Sequence, residues 1–248
     1  MTHGLARAFV RCAATLILAT SLPLQAAPVA DSIAEFSAVQ GQDSWSYGYF
    51  DHTANGPYSA AAFVGFALFD LVETRWKASD AQVGANNNVY LSVDALGGHP
   101  NGIGPDNQDA AIWAVRRYAS EVAGTVRVDF DLRKINISNT NAGGITGHIF
   151  VDGLEVFSQF IGNADGVGVQ DSLYIDVGVG TLIDFAIDPL GLETSRDGIE
   201  SARADGSQFS AVIEPDTRPL PAPGTVLLLM GSGGLLLLRR PRVGTAPR

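Results

Sequence analysis

From Val126 to Arg133 the chain alternates without a break. Val126, Val128, Phe130 and Leu132 are apolar, whereas Arg127, Asp129, Asp131 and Arg133 are charged. Successive strand side chains point to opposite faces, while a helix would spread these charges around its circumference. The stretch therefore predicts a β-strand in an antiparallel sheet with one dry face and one wet face. A chain holding such a strand must bury the dry face against a second layer.

The rest of the chain supplies strands for that layer. Ser44 to Phe50 alternates with Trp45, Tyr47 and Tyr49 on one side, and Asn55-Gly56-Pro57 breaks it. Ala62 to Val72 reads as one strand, Thr74 to Lys77 as its continuation past a bend or as a short separate element, and Val89 to Val93 as a short strand. Gly97 to Asp109 reads as a long loop, a length that marks functional or mobile segments. Ala111 to Tyr118 alternates again and carries Trp113, Arg116 and Arg117. Thr146 to Val151 and Leu154 to Phe160 flank Asp152-Gly153, the strongest short hairpin signal. Ser172 to Val177, Leu182 to Ile187 and Phe209 to Ile213 complete about ten short strands. No amphipathic helical pattern exceeds two turns. The expected fold is all-β, an antiparallel two-sheet β-sandwich of jelly-roll-like type, with closure into a barrel as the competing topology.

Charge divides the chain into a body and two ends. All 26 acidic residues fall between Asp31 and Asp216, and only ten of the 16 basic residues lie in the body from Ala27 to Arg218, so the body carries a net charge of −16. That field argues against nucleic acid and anionic lipid as partners. At the N-terminus, Arg7 and Arg11 precede an apolar run from Ala13 to Leu22, and Leu24-Gln25-Ala26-Ala27 offers small residues. This predicts a secretory signal peptide over 1–26 with cleavage after Ala26. The single cysteine, Cys12, lies inside it and follows no lipobox, so disulfides and thiolate chemistry are not expected of the body. Ala27 to Arg218, 192 residues, suits one domain.

The C-terminal end has three parts. Pro219-Leu220-Pro221-Ala222-Pro223 is a rigid approach, Val226 to Leu238 is an apolar run of 13 residues, and Arg239, Arg240 and Arg242 follow it. As a helix the run rises ~20 Å, short of the ~30 Å hydrocarbon core. The arginines nevertheless predict a membrane-inserted segment over 226–238 with a cytoplasmic end. In this order the tail over 219–248 resembles the PEP-CTERM sorting signal of Gram-negative exopolysaccharide producers. The sorting-motif residues are Pro221, Ala222, Pro223, Arg239 and Arg240. Ala222 stands where that family usually has glutamate. The resemblance implies transient recognition by an exosortase in the inner membrane, removal of the tail, and delivery to the cell surface or extracellular matrix.

The block from His99 to Ile213 resembles a β-sandwich module of secreted bacterial proteins. The matching residues are His99-Pro100, Ala114 to Tyr118, Gly124, Gly147, Asp152-Gly153, Leu182 to Phe185 and Asp205 to Phe209. Such modules look like carbohydrate-binding domains in architecture, which supports fold more than function.

The chemistry-bearing residues are sparse. Trp45, Tyr47 and Tyr49 on one strand face form a candidate sugar-stacking surface, with core packing the alternative. Trp113 reads as core. Arg116 and Arg117 point to opposite faces, so one needs a buried partner such as Asp184 or Asp205. Arg117 and His99 join the candidate ligand-binding set. Asp129, Asp131, Asp106, Asp109, Asp165 and Asp171 supply oxygens for a structural calcium ion, or are scattered solvated acids. His52, His99 and His148 lack zinc-site spacing, and no catalytic motif is present. The expectation is a secreted, non-catalytic, polysaccharide-binding sandwich without cofactor. A polysaccharide hydrolase or lyase using the long loops, and a purely structural matrix protein, are the alternatives.

Overall fold

The computed structural model describes residues 27–87, 90–103, 110–138, 143–189 and 205–218. The chain divides into two compact units, Met1–Asp216 and Thr217–Arg248. The predicted signal peptide 1–26, the sorting stretch 219–248 with both of its motifs, Asp106 and Asp109 lie outside the described residues. Among the described residues no helix is long and apolar enough to cross a membrane.

The described part of the first unit is mostly β. Its strands are β1 (Ala30–Asp31), β2 (Trp45–Asp51), β3 (Val64–Gly65), β4 (Leu68–Asp70), β5 (Arg75–Lys77), β6 (Ser92–Asp94) and β7 (Gly97–His99). The longer ones follow: β8 (Ile112–Ala119), β9 (Gly124–Lys134), β10 (Ile145–Val151), β11 (Leu154–Ile161), β12 (Val169–Val177), β13 (Leu182–Asp188) and β14 (Ser207–Pro215). Two short helices, α1 (His52–Asn55) and α2 (Asp80–Val83), lie between them.

These strands form two antiparallel sheets. One has six strands in the order β11-β10-β13-β8-β2-β3. The other has eight: the path β12-β9-β14-β7-β6-β5-β4, with β1 on β14. One side of β14 pairs with β9, and the other pairs first with β7 at Ser207 and Gln208, then with β1 at Val212 and Ile213. The β10–β11 hairpin turns through Asp152 and Gly153, both at positive φ, as a tight two-residue turn requires. The predicted strand from Ala62 to Val72 is instead a 3-10 turn at Ala60–Ala62 followed by β3 and β4. Gly97 to His99, read as loop, is β7.

The core between the sheets is built as the alternation dictates. Val126, Val128, Phe130 and Leu132 of β9, with Phe209 and Ala211 of the neighbouring β14, pack in one core with Ile145 and Ile149 of β10 and Ile183 and Phe185 of β13 in the other sheet. Leu132 fills the space a side chain at Gly147 would take, its Cδ2 only 2.3 Å from where a Cβ would sit. Trp45, Tyr47 and Tyr49 are core residues, exposed by 0, 0 and 5 %. Trp45 lies 5.0 Å from the Tyr118 ring and donates its Nε1–H to Glu35 Oε2 at 2.8 Å. Tyr47 stacks on Trp76 at 6.1 Å, and Tyr49 lies 5.8 Å from Phe66. The reading of these three as a sugar-stacking surface is corrected accordingly: all three side chains are spent on core packing.

The two arginines of β8 diverge as expected. Arg116 points inward and is buried, donating to the carbonyls of Ser32 (3.2 Å), Ala95 (3.0 Å) and Asp94. Burial pulls its pKa down to about 10. It straps the β6–β7 turn and the turn after β1 to the six-stranded sheet. Arg117 points outward and meets Asp184, its Nε 2.6 Å from Oδ1 and its Nη2 2.9 Å from Oδ2. Asp205, the other proposed partner, pairs with Lys134 at 2.8 Å.

The outer face of the six-stranded sheet is covered over its central strands, while β11 at its edge stays exposed. The segment from α1 through the 3-10 turn crosses it, laying Tyr58, Ala62 and Phe63 on Phe50, Trp113, Val115, Phe150 and Ala186. Gly48 permits this approach, since a Cβ there would meet the Val64 carbonyl at 2.2 Å. Arg117 lies under the Phe63 ring at 4.2 Å and donates to the Ala60 carbonyl. Trp113, read as core, belongs to this second apolar layer rather than to the space between the sheets.

Candidate functional site

With the central strands of one outer face covered, the open face is that of the eight-stranded sheet, where β9 presents the charged half of its alternation. Here the strands floor a cleft of about 660 Å3. Asp129 and Asp131 come from β9, Gln170 and Ser172 from β12, and Ser210 and Val212 from β14. Asp31, Ile33 and Ala34 form one wall. The turn after β1 makes that wall because the Asp31 carboxylate accepts the N–H groups of Ile33 and Ala34 at 2.9 and 3.0 Å.

The floor is an ordered polar lattice. Ser172 donates its hydroxyl to Asp129 Oδ1, and Arg127 donates to Asp129 Oδ2 at 2.6 Å. Gln170 donates to Asp131 Oδ2 at 2.8 Å, and Arg133 Nε lies 3.9 Å from Asp131 Oδ1. Arg127 also reaches Glu214 at 2.8 Å. Each cross-strand bond fixes a rotamer, so the acceptors are held in place before any ligand arrives. Asp131 Oδ1 is a buried oxygen that accepts no hydrogen bond. The cleft thus combines carboxylate, amide and hydroxyl groups on its floor with apolar Ile33, Ala34 and Val212 beside them. Hydroxyl-rich rings with alternating polar edges and apolar C–H faces suit such a lining.

Of the calcium set, Asp106 and Asp109 lie outside the described residues, and the other members do not converge. Among the described residues no group of three or more His, Asp or Glu is placed to hold a metal ion. Asp165 instead accepts the N–H groups of Val167 and Gly168, and Asp129 and Asp131 are engaged by the neighbours named above. The remaining candidates lie elsewhere. Arg117 is locked under the 60–63 segment. His99 is stacked against Tyr90 at 5.2 Å with its Nδ1 2.7 Å from the Pro100 carbonyl. Neither reaches the cleft lining, and neither lies with Trp45, Tyr47 and Tyr49 in one site.

Sequence reasoning missed a ring layer beneath the 52–63 segment. His148 lies parallel to Trp113 at 4.8 Å, and His52 flanks the same indole at 5.4 Å. His148 Nδ1 is 2.6 Å from Glu155, and its Nε2 is 3.7 Å from Asp188. Burial alone would lower the imidazole pKa, but Asp188 and Glu155 outweigh it and hold the pKa above the usual histidine value. A raised folded-state pKa contributes stability that is full below the unfolded value of ~6.5 and is lost as pH rises through the folded value. Denaturation midpoints should therefore fall as pH rises across that window, and His148→Gln should flatten the slope. A pH-independent midpoint in the parent protein would contradict the assignment.

No protein-family model matches the chain, and no curated protein does. Solved structures give partial likenesses. The CBM51 domain of Clostridium perfringens GH95, in complex with methyl-galactose, aligns at 13% identity over 47% of this chain and 80% of that one, with a TM-score of 0.28. A cleaved adhesin domain of Lys-gingipain from Porphyromonas gingivalis aligns at 10% identity over 76% of this chain and 99% of that one, at 0.31. The Kluyveromyces marxianus β-glucosidase in complex with glucose aligns at 8% over 73% of this chain, at 0.31, and the match spans 17% of that enzyme. Likenesses this distant carry no argument about function, which rests on the residues.

Proposed function

We propose that this chain is a non-catalytic, polysaccharide-binding β-sandwich of jelly-roll-like type, and that the cleft on its eight-stranded sheet is the binding site. The carrying observation is the cleft itself: an open depression whose floor is a pre-ordered set of carboxylate, amide and hydroxyl groups beside an apolar wall. The ligand class follows from the charge. The two arginines beside the floor are already engaged, Arg127 by Asp129 at 2.6 Å and Arg133 by Gln208 at 2.7 Å, and the lining itself carries carboxylates, so the cleft favours a neutral glycan over an acidic one.

The same geometry supports binding over hydrolysis. Asp129 and Asp131 sit two residues apart on one strand face, about 6.7 Å along the strand, a separation that an inverting glycosidase could use. Such an enzyme needs one carboxyl protonated. Here Asp129 accepts from Arg127 and Ser172, and Asp131 accepts from Gln170, so both carboxyl groups are held as hydrogen-bond acceptors within the lattice. The basic tail after a short apolar run, together with the signal-like N-terminus, supports a secreted protein that is held transiently in the inner membrane, sorted by an exosortase and delivered to the cell surface or matrix.

Affinity electrophoresis of the protein through gels containing neutral or acidic polysaccharide tests the binding reading. Retardation by a neutral polymer, and none by acidic ones, is expected. Asp131→Ala combined with Gln170→Ala should weaken retention at least about tenfold, since charged hydrogen bonds contribute ~1.5–3 kcal/mol. Migration unaltered by every polymer would overturn the proposal.

A further inference from the structure

Lys134 is the last residue of β9, and its inward-facing side chain has no solvent exposure. Its Nζ lies 2.8 Å from Asp205 Oδ1, whose own side chain is 2% exposed. The backbone holds both residues in place. Lys134 pairs with Ser207 across the β9–β14 ladder, the next residue donates from Ile135 N to the Gly206 carbonyl at 3.0 Å, and Ser207 Oγ bonds the Asp205 carbonyl at 2.7 Å. Burial of an ion pair in a low-dielectric interior penalises both charges and favours passing the proton to yield amine and acid. Desolvation accordingly lowers the Lys134 pKa despite the carboxylate beside it.

A third titratable group lies against the residue that follows Asp205. The His99 ring lies against Gly206, its Cδ2 3.6 Å from where a Cβ there would sit. A carbonyl can only accept, so the contact with Pro100 places the ring proton on Nδ1 and leaves Nε2, bonded to that Cδ2, as the basic nitrogen. Burial pulls the imidazole pKa down to about 4, so the ring is uncharged at neutral pH and free to relay a proton.

We propose that Lys134 and Asp205 condense to an intramolecular isopeptide bond that ties the end of β9 to the start of β14. The amine Nζ attacks Asp205 Cγ, a C–N bond forms and a C–O bond breaks, and the leaving hydroxyl departs as water. Of the three ammonium hydrogens, one stays on the amide and two leave in that water, so no oxidant, reductant or activating group is required. His99 Nε2 takes a proton from the attacking nitrogen and returns it to the departing oxygen. Proximity of this kind makes an otherwise slow acyl transfer effectively unimolecular. For a protein placed outside the cell without disulfides, the bond would resist unfolding in the way a covalent staple does.

The composition makes the test unambiguous, because the chain has two lysines, Lys77 and Lys134. Intact-mass measurement of the purified full chain should give a value below the sequence mass, after any terminal processing, by one water. After denaturation an amine-reactive reagent should modify Lys77 and leave Lys134 untouched, and fragmentation should yield a branched peptide joining the two segments. A full mass with Lys134 modified as readily as Lys77 would overturn the proposal. His99→Gln keeps both bonding residues and should leave most of the protein uncondensed; complete condensation in that variant would remove His99 from the mechanism.

Discussion

Asp184→Ala is expected to destabilise the sandwich by about 3–5 kcal/mol, the range for stripping one partner from a buried ion pair. Asp184 has no solvent exposure and accepts three hydrogen bonds. Two come from Arg117, and the third comes from the Tyr58 hydroxyl at 2.7 Å. Removing it leaves a guanidinium under the 60–63 segment without its counter-charge, and the Tyr58 hydroxyl without its acceptor. For a domain of this size the loss corresponds to a fall in Tm of roughly 10 °C. The Arg117→Met, Asp184→Leu pair should recover part of the loss, because no charge then remains to be desolvated. Chemical denaturation of the three proteins checks this, and an Asp184→Ala variant as stable as the parent would show that the 60–63 segment is not clamped as described.

Trp45→Ala should cost a similar amount, about 3–5 kcal/mol. The indole fills the space between Tyr118 and Phe185 at 5.0 and 6.2 Å. Its loss leaves a cavity and removes one of the two donors to Glu35 Oε2, the other being the Asp31 N–H. The consequence should be one of folding alone: at a temperature where the variant remains folded, glycan retention should match the parent. Near-ultraviolet circular dichroism and affinity electrophoresis on one sample separate the two effects. A variant that stays fully stable and loses the glycan would return Trp45 to the binding surface.

The alternation of β9 was legible because its two faces meet two different solvents, core and water, and so carry two residue classes. The Asp152-Gly153 turn was legible for an equally local reason, the positive φ at both of its positions. Trp45, Tyr47 and Tyr49 were grouped on one face correctly, but alternation does not say which face is dry. Here it was misleading, because β2 is apolar or glycine on its other face too at Gly48 and Phe50, under the 52–63 segment. The cleft was visible only as Asp129 and Asp131 sharing a side. Its other walls come from β1, β12 and β14, brought together by pairings that span most of the chain. The ring layer around Trp113 was hidden for the same reason: His52, Trp113 and His148 are far apart in sequence and meet only across the sheet. Asp184 was legible as a partner for one of the two arginines, but which one was not: it takes the outward Arg117, while the buried Arg116 is satisfied by the carbonyls of Ser32, Asp94 and Ala95, which only the fold brings to it.

Amide chemical-shift mapping during titration with a neutral oligosaccharide tests the central claim most directly. The account predicts shifts confined to the cleft, at Asp129 to Asp131, Gln170 to Ser172, Ser210 to Val212 and the turn from Asp31 to Ala34. Shifts centred instead on the 52–63 segment, or none with any neutral glycan, would contradict it.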